Sequence, residues 1–198
     1  TKTAKCDRCI ATNTITDVGS KLPEGSTVFT GVTRVFGVSR YETAFKTADT
    51  LKATLGVDKF DTVIVANGTN FADALAGSYL AAKKSAPILM TDKNAKNITN
   101  LVNYIKANVQ PGGTVYILGG YAALPNSIDK GLAGYTVERL AGNDRYETNL
   151  LILEEAEVTN EAILVATGTG FADSLSASAT GLPMLLVNKE LNPQQKAF

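Results

Sequence analysis

From about residue 41 onward, apolar positions alternate between helical and strand spacing. Ala44, Ala48, Leu51 and Leu55 recur at helical spacing over residues 41–55, and Gly56 is a natural stop. Thr62-Val63-Ile64-Val65-Ala66 is a short apolar run rich in β-branched residues, as expected of a strand buried in a parallel sheet. Residues 71–84 read as a second helix and Pro87-Ile88-Leu89-Met90 as a second strand. A third helix spans residues 98–108, with Ile98, Leu101, Val102 and Ile105 on one face, and a third strand spans 114–118 before Gly119-Gly120. A short helix follows over 126–133, further strands are expected near 163–166 and 184–187, and Asn192-Pro193 opens a last helix with an N-cap and a Pro at its first position. Strand and helix in regular alternation imply an α/β layered fold with mainly parallel sheets flanked by helices.

The pattern repeats. Arg34-Val-Phe-Gly37-Val-Ser-Arg40-Tyr-Glu-Thr43 recurs as Arg139-Leu-Ala-Gly142-Asn-Asp-Arg145-Tyr-Glu-Thr148, at an offset of 105. Ala66-Asn-Gly-Thr-Asn-Phe-Ala-Asp73 recurs as Ala166-Thr-Gly-Thr-Gly-Phe-Ala-Asp173, at an offset of 100, and Pro87–Lys93 as Pro183–Lys189, at an offset of 96. Three blocks in the same order define two tandem copies, 34–133 and 134–198, preceded by a segment or linker over 1–33. The second copy loses five residues and then four, in stretches that read as helix, so its helices should be shorter on the same strands. It has no counterpart of strand 114–118. Either continuing chain or another segment fills that slot, Thr27-Val28-Phe29-Thr30 being a weak match.

The repeated polar residues have structural and binding readings side by side. Ser39 and Glu42, and equally Asp144 and Glu147, fit the spacing of a capping box at a helix start. Arg40 and Arg145 do not fit that device, because a cation in the first turn opposes the helix dipole. Each therefore pairs with a carboxylate or meets an external anion. With Arg34 and Arg139 six residues upstream, each copy offers two arginines around a glycine beside free backbone N–H groups, a cradle suited to phosphate or carboxylate. Asn67-Gly68-Thr69-Asn70 and Thr167-Gly168-Thr169-Gly170 follow strands and precede helices, where parallel α/β sheets usually hold ligands. Neither loop matches a nucleotide-binding glycine pattern. Asp73 and Asp173 fall in the first turn of the next helix, read as dipole compensation or capping.

Composition narrows the functional classes. Across 198 residues, 44% apolar and 19% charged is a globular balance. Nineteen basic against nineteen acidic residues leave no electrostatic footprint for nucleic acid. No apolar run approaches the ~18–20 residues of a membrane span. There is no histidine, which removes Ser-His and Cys-His catalysis and His-ligated zinc. Cys6 and Cys9 lack two further metal ligands and read as a local disulfide or part of a cut segment. No metal or cofactor is implied.

Together the blocks resemble the cell wall-binding type 2 repeats of Gram-positive surface proteins, found in clostridial S-layer and cell wall proteins and in amidase-associated modules. The resemblance rests on residues 139–148, Asn67-Gly-Thr-Asn-Phe-Ala-Asp-Ala-Leu75, Ala86-Pro-Ile-Leu-Met-Thr-Asp-Lys93 and Val115-Tyr-Ile-Leu-Gly-Gly120, in family order over residues 34–198. It implies tandem Rossmann-like units, usually three around a pseudo-threefold axis. Their implied role is a non-catalytic, extracellular anchor that holds a surface protein on peptidoglycan by non-covalent binding of an anionic secondary wall polymer. The family's Ile-Leu-Leu anchoring element maps to Ile88-Leu89-Met90 and Met184-Leu185-Leu186, which by pattern are buried strands. Further repeats in the chain or a homo-oligomer would complete a threefold arrangement. Residues 34–133 carry eleven basic and seven acidic residues, net +4, and residues 134–198 four and nine, net −5. A polyanion should prefer the first copy, or a groove collecting the arginines of both. The rival readings are a self-association module of a surface array and an α/β enzyme acting on small phosphorylated or glycosidic substrates through Asp73 and Asp173.

Overall fold

Val63, Ile64, Val65 and Ala66 are fully buried in strand β3 (Phe60–Asn67), which lies inside a sheet packed on both faces. The computed structural model describes residues 33–198 and two short strands, β1 (Lys2–Lys5) and β2 (Thr12–Ile15). Cys6, Cys9 and residues 27–30 lie outside the described residues. Two units result. In the first, β1 and β2 pair antiparallel, Lys2 opposite Ile15 and Lys5 opposite Thr12.

The second unit, Val35–Phe198, holds both copies. After α1 (Arg40–Leu55) and β3 come α2 (Ala72–Ala76), α3 (Ser78–Lys83), β4 (Ile88–Thr91), α4 (Ala95–Asn108), β5 (Val109–Leu118), α5 (Ser127–Gly131) and β6 (Thr136–Leu140). Then follow α6 (Arg145–Glu155), β7 (Leu164–Thr167), α7 (Ala172–Ser178), β8 (Met184–Val187) and α8 (Pro193–Ala197). All sheet pairing in this unit is parallel, in the order β4-β3-β5-β6 for one sheet and β7-β8 for the other. The expected α/β class, the mainly parallel sheet and the five expected strand positions are all present. As the offsets require, α6 has eleven residues where α1 has sixteen.

Three details differ from expectation. The helix expected over 71–84 is two helices that break at Gly77, where a Cβ would collide with Leu118 Cδ1. Strand β5 starts earlier than 114 because its first residues pair with Phe60 before the register shifts around the left-handed Gly112. Residues 136–140, which follow the first copy in sequence, pair with β5 and extend the first copy's sheet.

Alternation along β3 divides the core. Val63 and Val65 face α1, α4 and α5, meeting Ala48, Leu101, Ile105 and Ile128. Ile64 faces Ala72, Ala76 and Leu80, and the same cluster takes in Ile152, Ala156, Ala166, Met184 and Leu186 of the second copy. The two copies therefore share one hydrophobic core. Its polar fringe joins the basic copy to the acidic one: Lys84 pairs with Glu155 at 3.5 Å, Lys83 with Glu161 at 3.7 Å, and Tyr116 donates to Glu155 at 2.6 Å. Part of the charge imbalance between the copies is thus spent inside the molecule. Leu89, Leu185 and Leu186 are buried and Ile88 is half-buried, so the Ile-Leu-Leu counterpart is sheet core.

Candidate functional site

β3 connects to β4 on one side and the chain then crosses to β5 on the other, which makes the carboxyl ends of β3 and β5 a topological switch point. The loop Asn67-Gly68-Thr69-Asn70 lies there. Asn67 is 8% exposed, and its Oδ1 accepts from the Thr69 N–H at 2.9 Å and the Thr69 hydroxyl at 2.8 Å, which closes a tight turn. Asn70 Oδ1 accepts from the Ala72 N–H at 3.3 Å, just ahead of α2, whose N-cap position is Phe71. In the second copy the Thr167 and Thr169 hydroxyls bond to each other at 2.8 Å.

The repeated helix-start motif closes on this loop, and its capping residues, glutamates, threonines and helix-opening arginines all have internal partners. Ser39 and Asp144 are N-caps: Ser39 Oγ accepts from Glu42 N, and Asp144 Oδ1 from Tyr146 N and Glu147 N. The capping-box reading needs correction at its second half. Glu42 accepts from Val38 N at 2.6 Å and Glu147 from Asn143 N at 2.8 Å, one residue beyond the N-cap. The incoming chain folds back over the first helical turn so closely that a Cβ on Gly37 or Gly142 would lie within 2.6 Å of Glu42 or Glu147 side-chain atoms. Thr43 and Thr148 hydroxyls accept from Gly37 N and Gly142 N.

Arg40 Nη1 donates to the Gly68 carbonyl at 2.6 Å, and Arg145 Nη1 donates to the Gly168 carbonyl. Within the chain, each arginine's direct partner is thus a loop carbonyl and not a carboxylate. Arg40 is exposed beside its loop; Arg145 is half-buried, with its guanidinium 5.8 Å from the Phe71 ring centre of the first copy. Phe71 and Phe171 meet edge-on at 6.0 Å, so the two glycine loops are neighbours across the junction of the copies. Arg139 does not join Arg145 in a cradle. It leaves β6 toward the end of β5, donating to Gly119 O and Asp129 Oδ2, each at 2.6 Å, and lies over Tyr121 at 4.2 Å. Arg34 is exposed at the unit boundary.

Asp73 makes no capping bond. Its carboxylate lies against Gly119, where a Cβ would be 2.8 Å from Oδ2, and burial pushes its pKa up while the Arg145 charge opposes the rise. Asp173 is exposed.

Sequence reasoning did not single out Tyr41, Asp92 or Asn97. The Tyr41 ring packs on Gly68, and its hydroxyl donates to Asp92 Oδ2 at 2.7 Å. Asp92 also accepts from Asn94 N at 2.8 Å and from Asn97 Nδ2 at 3.0 Å. Desolvation alone would raise its pKa; these hydrogen bonds outweigh it and hold the carboxyl below its usual value. The same bond raises the Tyr41 phenol. Tyr41 and Asp92 both stand within repeated blocks, but the second block carries Asn188 where the first has Asp92, so the pair has no sequence echo. Between these groups lies an open cavity of about 260 Å³ lined by Asn67, Thr69, Asp92, Lys93, Asn94 and Ala123. Amides, a hydroxyl, a carboxylate and an exposed lysine suit it to a polar, hydroxylated ligand. Among the described residues no group of three or more His, Cys, Asp or Glu converges as a metal site would require.

A family model for cell wall binding domain 2 (CWB2) matches residues 34–129 and 139–197. The chain is 33% identical over 165 residues to the amidase enhancer of Bacillus subtilis (strain 168), covering 81% of this chain and 22% of that protein. It is 27% identical over 164 residues to the N-acetylmuramoyl-L-alanine amidase LytC of the same organism, covering 80% of this chain and 31% of that one. It thus spans less than a third of the length of these curated relatives. Among solved structures, Cwp8 from Clostridium difficile superposes with a TM-score of 0.68 and Cwp6 with 0.63, both at 28% identity over 81% of this chain, and with 28% and 26% of those chains covered.

Proposed function

Because the chain belongs to the cell wall binding domain 2 family, we propose that it is a non-catalytic anchor that holds a surface protein on the wall through an anionic secondary polymer. One observation carries the reading. Both copies tie the arginine opening their first helix to the carbonyl of a glycine loop at the carboxyl end of a parallel strand, in the first copy beside Lys93 and an amide-lined cavity. Arg40, Lys93 and loop 67–70 form the principal contact. Arg145, Thr167 and Thr169 form the weaker one, in a copy whose net charge is negative. Arg34 adds positive charge at the margin, whereas the Arg139 charge is largely taken up by Asp129. That the same segment matches both an amidase and an amidase enhancer favours targeting over catalysis. The family supports a location at the cell wall or surface.

Co-sedimentation with purified Gram-positive walls tests this. The wild type should bind native walls, bind less once the anionic polymer is stripped, and weaken as salt rises. Lys93→Glu, at an exposed side chain, should lower binding while leaving the circular dichroism spectrum unchanged. Equal binding to native and stripped walls would overturn the polymer reading. Release of peptide or sugar from walls by the chain would overturn the non-catalytic one.

A further inference from the structure

α4 carries three asparagines on one ridge, Asn97, Asn100 and Asn103, at successive i, i+3 positions. Asparagine is a poor helix former, and a helix face gains nothing from three of them. Asn97 is bound to Asp92, whereas Asn100 and Asn103 are exposed and have no hydrogen-bond partner among the described residues. Opposite them, α1 presents Tyr41 and Phe45, and Phe45 stacks on Tyr104 of α4 with ring centres 4.5 Å apart and planes 10° apart. Between the two helices runs a groove of about 510 Å³. Its charged members, Glu42 and Lys96, cancel. Unpartnered amides beside half-buried aromatic rings, without net charge, match the alternating hydroxyl edges and apolar C–H faces of a sugar ring, and do not match an anion. The fold does not demand this lining. The corresponding groove between α6 and α8 is lined by Leu150, Leu151, Val158 and Phe198 with two glutamates.

We propose that the groove between α1 and α4 takes uncharged sugar units of the wall polymer whose charged units lie on loop 67–70. This rests on the anchoring reading. The occupant is assigned by continuity, because Tyr41 and Asn97 wall the groove while Asp92, bound to both, walls the loop cavity. One glycan chain crossing that hydrogen-bonded partition reaches both.

The test compares binding of the whole chain to native walls at about 0.1 M and about 1 M salt, where screening lengths are about 10 Å and 3 Å. Contacts to neutral sugar survive high salt, so the wild type should retain measurable binding there. Asn100→Ala/Asn103→Ala, which improves helix propensity, should lower affinity at high salt about tenfold and affinity at low salt by less. In the wild type, the Asn100 and Asn103 side-chain amide resonances should shift when solubilised polymer is added. Equal high-salt affinity of variant and wild type, or no wild-type binding at high salt, would overturn the groove and leave the anchoring reading standing. High-salt binding that persists on walls stripped of the polymer and still depends on the asparagines would overturn the assigned occupant in favour of the peptidoglycan strand. Absence of wild-type binding at both salts would overturn the anchoring reading together with this one.

Discussion

Gly68 and Gly168 sit at the same place in the two copies and each faces the tyrosine of its own copy, yet they should tolerate a methyl group differently. A Cβ on Gly68 would stand 2.6 Å from Tyr41 Cε1, and the Tyr41 ring is pinned by its hydroxyl to Asp92. At Gly168 the intruding atom would meet Tyr146 at 2.5 Å, but no hydrogen bond anchors that hydroxyl among the described residues. Gly68→Ala should therefore cost about 2–3 kcal/mol in urea unfolding and Gly168→Ala about 1 kcal/mol, with Gly120→Ala, which has open space, near neutral. Asp92 and Asp73, both in the first copy, respond to pH in opposite senses. Asp92 has its pKa lowered on folding, so it stabilises the fold above the ordinary carboxylate value of about 3.9 and loses that contribution as pH falls through its folded value. Asp73 has its pKa raised by burial, so the fold loses stability as pH rises through its unfolded and then its folded value. Asp92→Ala should lower the melting temperature at neutral pH and lose its effect in acid. Asp73→Asn should raise the melting temperature at neutral pH and flatten the profile above about pH 4. Thermal melts across pH check both.

Helix α6 is clipped to strand β8 by one side chain. Asn149, fully buried, donates to Met184 O at 2.9 Å and accepts from Leu186 N at 2.7 Å, so it stands in for a neighbouring strand along that edge. Gln195 of α8 adds a bond to Leu186 O at 2.6 Å. The first copy has Ala44 at the position of Asn149, at the offset of 105 that relates the helix starts. Asn149→Ala would strand two buried backbone groups and should cost about 2–4 kcal/mol. In hydrogen exchange the Leu186 amide should lose protection before the amides of β3 do. Among the elements, the repeat offsets read correctly: the residues missing from the second copy come out of its helices. The break of the second helix at Gly77 was not legible, because the side chain forcing it, Leu118, lies some forty positions downstream.

The molecule is asymmetric about its own repeat. Val65 is fully buried where β3 is flanked by β4 and β5, whereas its counterpart Val165 is 62% exposed because β7 pairs among the described residues with β8 alone. Leu175 at 54% and Phe171 at 57% are further exposed apolar side chains, on and beside α7. An open parallel edge with an exposed apolar side chain such as Val165 invites association. Sedimentation equilibrium should show a mass that grows with concentration, and Val165→Lys should abolish the growth. The junction between the copies should be insensitive to salt despite its Lys–Glu pairs, because exposed ion pairs contribute ~0–1 kcal/mol and the shared apolar core carries the contact.

The α/β class, the order of strands and helices, the two copies and the loops at their strand ends were written in local periodicity and self-similarity. Such features depend on neighbours within a turn or a strand, and each copy confirms the other. The direction of the arginines was not written there. Arg40 and Arg145 break the helix-dipole rule in isolation, and only folding brings a carbonyl from a loop 28 or 23 residues away under each guanidinium. Arg139 resembles Arg34 in sequence, but β6 joins the sheet beside β5 and delivers its charge to Asp129. The groove with its two unpartnered asparagines likewise exists only once α1 and α4 lie side by side. Periodicity specifies which face of an element is buried. What each polar group on the remaining face meets is decided by contacts between residues far apart in the chain, which tertiary packing alone creates.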